Sequence, residues 1–236
     1  MVTLQTWIYS LLITAVPLES GVKSTQWWGK DSWETEESPT SESAVSRAID
    51  ARKARYLEIA DSIAEVVFDP KEPSLFKGDL GKYQTAALMV SIDAEESMLH
   101  KHVDLGLGSK SKGDAGKSWC LGQVMLGSNP KTNNSAYAIK LNDLYFEYVP
   151  ANDGWNGLDL VQDRSKCFRS QLHIIRKSLK DCGALKSEFR LAGYVAGRCD
   201  IGWKAAKKRW DNGLELFKKV PPPEEIIIKE NKKKES

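Results

Sequence analysis

The sequence lacks an excess of either charge. Its 236 residues hold 34 Lys and Arg against 32 Asp and Glu, a net charge of +2, so nothing in the overall balance points to a nucleic-acid partner. It lacks a CxxC pair and any Cys/His spacing of the kind that binds zinc, and no metal or other cofactor is expected. It has no run of eighteen or more apolar residues, so no ordinary membrane-spanning helix is expected. No basic residues precede the short apolar stretch WIYSLLITAVPL, Trp7 to Leu18, as they would in a secretory leader. That stretch reads as a packing or docking segment, with an atypical leader as the alternative. The phosphate-cradling motif is also missing: SKGDAGKS has Ser111 where GxxxxGK[ST] requires its first glycine, and no predicted strand leads into it. No internal repeat is visible.

What is present suits a globular chain with one core, since 41% of the residues are apolar. Eight tryptophans are many for this length; they serve cores and interfaces, and also make flat platforms for ring-shaped ligands. The four cysteines, Cys120, Cys167, Cys182 and Cys199, all lie in the second half. They allow three pairings into two disulfides, and a stapled domain and four buried thiols both fit.

Along the chain, residues 1–43 read as an N-terminal arm and linker, closed by the polar run ETEESPTSES. Trp27, Trp28 and Trp33 in that arm would clamp it onto its own domain or onto a partner. A long helix is predicted from about Ser43 to Phe68, where Tyr56, Ile59, Ile63 and Val67 recur at helical steps; Asp69-Pro70 and Pro73 end it. Residues 99–118 form a Gly- and Lys-rich loop carrying His100 and His102, a pair too small to argue for a metal. Tyr137 to Val149 fits a helix or a short strand equally. Helices follow at 162–180 (Phe168, Leu172, Ile175, Leu179), 187–197 with Gly197 as its stop, and 202–218 (Trp203, Ala206, Trp210, Phe217). Residues 220–236 read as a flexible charged tail. The expectation is a mainly α domain over 44–219.

The stretch Ala86 to Ser97, AALMVSIDAEES, is the one around which a site can be built. Leu88, Met89 and Ile92 share a helix side, and the helix then ends on Glu95 and Glu96. A carboxyl one turn past an apolar side can be half-buried, which raises its pKa and suits it to act as a general acid.

Three short motifs fall in order: Glu96-Ser97 at a helix end, Cys120-Leu121-Gly122-Gln123, and Gly193-Tyr194-Val195-Ala196-Gly197 in a late helix. Over about residues 80–218 this resembles the lytic transglycosylase domain of the soluble (SLT) type, in the goose-type lysozyme-like superfamily. In that family the motifs read Glu-Ser, Gly-Leu-Met-Gln and Ala-Tyr-Asn-Ala-Gly. The chain departs from them at Cys120, Gly122 and Val195. Its Tyr-Val-Ala-Gly-Arg-Cys variant is more similar to phage-encoded members than to bacterial housekeeping enzymes.

The resemblance implies a lysozyme-like helical fold and cleavage of the β-1,4 bond between N-acetylmuramic acid and N-acetylglucosamine in peptidoglycan, with no cofactor. Glu96 would be the acid and then the base, giving a 1,6-anhydro product. Ser97, Gln123, Tyr194 and Trp119 would contact the glycan. Each has a plainer reading: a helix cap for Ser97, a backbone-satisfied amide for Gln123, and core side chains for Tyr194, Trp119 and Trp155. Glu95 is the rival acid, turned about 100° away on a helix. A hydrolytic muramidase would need a second carboxylate such as Asp104 or Asp114. A catalytically decayed virion or wall-binding protein is the alternative from another class. The expected setting is a phage tail or ejected virion protein acting at the cell wall, with the arm contacting other virion proteins, or else an exported bacterial protein.

Overall fold

The computed structural model describes residues 3–20, 22, 29–129, 131–132, 134–143 and 145–228. With 56% helix and 10% strand the chain is mainly α. Its helices are α1 (Leu4–Ala15), α2 (Glu42–Phe68), α3 (Gly81–Ser97), α4 (Lys101–Asp104), α5 (Gly157–Gln162), α6 (Arg164–Asp181), α7 (Ala192–Ala196) and α8 (Trp203–Lys219). Between α4 and α5 lie three two-stranded antiparallel ribbons: β1–β2 (Ser118–Trp119, Val124–Met125), β3–β4 (Ser128–Asn129, Asn134–Ser135) and β5–β6 (Tyr137–Asn142, Tyr145–Pro150). The segment that sequence left open between helix and strand is thus a hairpin, in register from Tyr137↔Pro150 to Asn142↔Tyr145.

Helix α3 is central. Tyr83, Ala86, Ala87, Leu88, Met89, Val90 and Ile92 are all buried, a helix apolar nearly all round rather than on one stripe. It is enclosed by α1, α2 and α8. Gly213 lets α8 come close: a Cβ there would meet Leu88 Cδ1 at 2.8 Å and Leu88 Cα at 3.0 Å. The residues expected to face the core from the long helix do so, since Tyr56, Ile59, Ile63 and Val67 of α2 are buried.

Helix α1 corrects the reading of residues 1–43 as an arm. Ile8, Leu11 and Leu12 are fully buried and Trp7 nearly so, in the same cluster as α2 and α3. Trp7 Nε1 donates to the Val220 carbonyl at 3.1 Å, which ties the helix to the far end of the chain. Each such apolar side chain contributes about 1.5–3 kcal/mol by leaving water, so α1 belongs to the core. Trp33 is half-buried, whereas Trp27 and Trp28 lie outside the described residues. Within the tail, the described residues 220–228 are less free than expected, because Ile226 is buried against the core.

A smaller cluster of Trp119, Cys120, Val124, Leu126, Ile139, Leu160 and Cys167 lies under the ribbons. Two disulfides, Cys120–Cys167 and Cys182–Cys199, join segments at the two ends of α6 to the chain before and after it. In a chain-entropy account closures of these lengths stabilise by about 3–4 kcal/mol each.

Candidate functional site

Helix α3 ends abruptly after Glu96-Ser97, because Met98 and Leu99 both take left-handed backbone (φ 50° and 51°). Ser97 Oγ donates to the Asp93 carbonyl at 2.7 Å and accepts from Leu99 N at 3.2 Å. Its hydroxyl therefore closes the helix end, and Ser97 lines the same cavity as Glu96. Glu96 is left at the mouth of the fold, its side chain 19% exposed.

Glu96 and Gln123 line one cavity of about 250 Å³, together with Met98, His100, His102, Lys110, Ser111 and Gly113. Gln123 gets there through the tight turn between β1 and β2, in which both Cys120 (φ 56°) and Gln123 (φ 48°) are left-handed. Gln123 Nε2 donates to the Cys120 carbonyl at 3.0 Å, and its Oε1 lies where a Cβ on Gly113 would stand, 2.0 Å from that position. The amide is thus braced by its own turn and still opens into the cavity.

Helix α8 supplies a partner that no motif pointed to. Arg209 Nε donates to Glu96 Oε1 at 2.8 Å, and both side chains are largely buried. Burial raises the Glu96 pKa above the ordinary carboxylate value; Arg209 pulls it down, while the charges of Asp114 and Glu95 push it up again, and the net direction is upward. Glu95 is turned to a different surface, where it takes hydrogen bonds from Lys208 Nζ (3.0 Å) and Asn212 Nδ2 (2.9 Å). It lines a separate cavity with Thr14, Ser91 and Glu215, so the two adjacent carboxylates do not share a site.

Tyr194 comes from α7, which α6 fixes in place. Ser178 Oγ donates to the Arg190 carbonyl (2.8 Å) and accepts from Tyr194 N (3.1 Å), and Gly193 allows the close approach to Ser178 and Cys182. The Tyr194 hydroxyl donates to the Gly122 carbonyl, in the turn that carries Gln123. Burial raises its pKa well above the usual phenol value, and the nearby charge of Glu96 adds to that. Glu96 and Gln123, far apart in sequence, thus line one cavity, while Tyr194 is not among its lining residues and braces the turn that carries Gln123.

Trp119, named from sequence as a glycan contact, is not exposed in this way. Trp119 is 1% exposed, sandwiched between Lys112 Nζ, 4.0 Å from the ring centroid, and Gly157, where a Cβ would meet the ring at 2.1 Å. It has no free face for a sugar, and Trp155 is packed against the same cluster. Asp104 is equally unavailable as a second carboxylate. It is buried and held by Arg164 (2.8 and 2.9 Å) and Arg55 (3.3 Å). Asp114 differs: it is exposed on the 111–118 loop, accepts from Ser118 Oγ at 2.6 Å, and its charge reaches Glu96.

His102 is buried and His100 half-buried, with rings stacked 5.4 Å apart. Burial lowers both, His100 to about 4, so both are neutral at pH 7. Among the described residues no group of three or more His, Cys, Asp or Glu is placed to hold a metal ion, and no helix is long and apolar enough to cross a membrane.

No protein-family model, curated protein or solved structure matches this chain.

Sequence reasoning missed Arg209 and Asp93. Arg209 lies 113 residues from its partner and looks like any basic residue on an amphipathic helix. Asp93 left a signal: it is the lone carboxylate inside the apolar run, one turn before Glu96.

Proposed function

We propose that this protein is a peptidoglycan lytic transglycosylase with a lysozyme-like helical arrangement of the goose and SLT type, and that Glu96 is its single acid and base. The observation that carries this reading is the placement of Glu96. A half-buried carboxyl at the end of the central helix opens into the same cavity as Gln123, and its pKa is raised by burial. Protonated Glu96 donates to the glycosidic oxygen as the bond from N-acetylmuramic acid breaks. The substrate's N-acetyl group stabilises the cationic carbon. Ionised Glu96 then takes the proton of the sugar's own 6-hydroxyl, and the 1,6-anhydro ring closes without water. The Gln123 amide, able both to donate and to accept, orients the sugar beside the acid. Tyr194 holds the Gly122 carbonyl and so fixes the turn on which Gln123 stands.

Two departures from the family's motifs have physical counterparts. Cys120 stands where the family has glycine, at a left-handed position that glycine adopts without strain; here the Cys120–Cys167 disulfide holds it. Gly122 stands where the family has methionine, and the Gln171 amide fills the space, 2.9 Å from a Cβ built there. Left-handed non-glycine residues also gather in the segments bordering the cavity, at Met98, Leu99, Asp114, Ala115, Cys120 and Gln123. Such strain concentrates where a site must be held in shape.

Two disulfides favour an oxidising setting, which suits a wall-degrading protein of a phage virion that acts in the periplasm, or an exported bacterial enzyme. Peptidoglycan strands are the partner in either case. Virion proteins would dock through residues of the first 43 that α1 leaves uncovered. A second reading, hydrolysis by a muramidase, is favoured by Asp114, an exposed carboxylate whose charge reaches Glu96 and which would activate water. Mass spectrometry of digested murein separates the two. The lyase releases muropeptides one water lighter than hydrolysis products, whereas ordinary reducing ends assign the water-activating role to Asp114.

A further inference from the structure

Asp93 is fully buried, one turn before Glu96 on α3. Its Oδ1 accepts from Gln171 Nε2 of α6 at 2.8 Å, and its Oδ2 has no hydrogen-bond partner. Gln171 is also fully buried, and its Oε1 likewise has no partner. Two neighbouring buried groups thus present two acceptor oxygens without a donor, an arrangement that costs free energy unless a hydrogen is supplied. Among the described residues no cation is seen to act on Asp93. The groups facing it are Glu96 on its own helix, Gln171 on α6 and Tyr194 on α7, with the charge of Asp104 also acting on it; Arg209 of α8 is engaged by Glu96. An unpaired carboxylate does not persist in such surroundings, and burial pushes its pKa far upward. Gln171 packs on Gly122, whose carbonyl takes the Tyr194 hydroxyl, so Asp93 is linked to both segments that frame Glu96.

We propose that Asp93 is a positioning residue that works as a neutral carboxylic acid, its proton shared within the Asp93–Gln171 pair, which holds the Gly122 turn and Tyr194 beside Glu96. The proton has a second consequence. An ionised Asp93 would place another negative charge one turn from Glu96 and couple the two titrations. A neutral Asp93 leaves Glu96 to titrate alone, as a group acting first as acid and then as base requires. This part rests on the transglycosylase reading of the site; the protonation of Asp93 does not.

The test uses the full chain and three forms: wild type, Asp93→Asn and Asp93→Ala. Difference infrared spectra of wild type minus Asp93→Asn at pH 7 should show the carbonyl band of a protonated carboxylic acid; a carboxylate band in its place overturns the proposal. On murein, Asp93→Asn should retain lysis within about threefold of wild type, with an unshifted pH profile, because the amide replaces a neutral donor. Asp93→Ala should lose at least tenfold, rescued by Asn. A folded Asp93→Asn protein that loses activity, or whose profile moves toward lower pH, overturns the proposal as well. Should wild type itself leave murein intact, the functional reading fails, and the infrared result still decides the state of Asp93.

Discussion

Arg209 Nε donates to Glu96 Oε1 at 2.8 Å, joining α8 to the last turn of α3. Glu96 lines the cavity, and burial and the guanidinium act on its carboxyl in opposite senses. Replacing Arg209 by Gln removes an influence that lowers the Glu96 pKa, so Glu96 stays protonated to higher pH. The fall of lytic rate on the alkaline side should move to higher pH in Arg209→Gln, and Arg209→Lys should restore part of the original position. Carbon-13 NMR of the glutamate carboxyls reads the same shift without substrate. Movement of the Glu96 midpoint toward lower pH would show that the ion pair does not govern this group.

Gly113 gives a way to disturb Gln123 alone. Its backbone is not left-handed, so alanine is conformationally acceptable there, yet a Cβ would stand 2.0 Å from Gln123 Oε1. Gly113→Ala should leave the melting temperature nearly unchanged, because the flexible end of a side chain can move aside. It should lower kcat roughly ten- to a hundredfold by misplacing the amide. Unaltered kinetics in a folded Gly113→Ala protein would remove Gln123 from the site.

Glu72 is expected to contribute strongly to acid stability. It is nearly buried between the start of the 69–80 loop and α6, hydrogen-bonded by Arg169 (3.0 Å), Arg176 (3.0 Å) and His173 (3.2 Å). Burial opposes its charge, but His173 and Arg176 outweigh burial and lower its pKa to about 2. A carboxyl depressed on folding contributes stability above its ordinary value of 4.5 and loses that contribution as pH falls toward 2. Wild type should therefore lose melting temperature steeply across that window. Glu72→Gln should be less stable at pH 7 and show a flatter acid limb in a calorimetric pH series. Parallel curves for the two proteins would assign acid unfolding to other groups.

Much of this architecture was legible from local pattern. The spacing of Tyr56, Ile59, Ile63 and Val67 gives α2, the apolar run before Glu96 gives α3, and Gly197 stops α7 in left-handed backbone as a helix-ending glycine should. Helical periodicity survives in sequence because it repeats every few residues. The elements that were not legible depend on distant partners. WIYSLLITAVPL reads as a packing or docking segment from its sequence, but only its burial against α2, α3 and α8 shows that it is a layer of this core. The hairpin at 137–150 carries aromatic residues that suit helix and strand alike. Glu96, Gln123 and Tyr194 were singled out from sequence; Glu96 and Gln123 line one cavity, and Tyr194 bonds the turn beside Gln123. Trp119 was misread because composition cannot tell a platform from a core ring; packing against Gly157 makes it the latter. Arg209 could not have been singled out, since its meaning lies wholly in what it meets across 113 residues.

The most direct test of the account is a peptidoglycan zymogram of Glu96→Gln beside wild type, with circular dichroism to verify that both are folded. The amide fills the same space, still faces Arg209 and cannot give up a proton to a leaving oxygen. Wild type should clear the murein and the folded Glu96→Gln protein should leave it opaque. Full clearing by Glu96→Gln would contradict the assignment of this carboxyl as the acid.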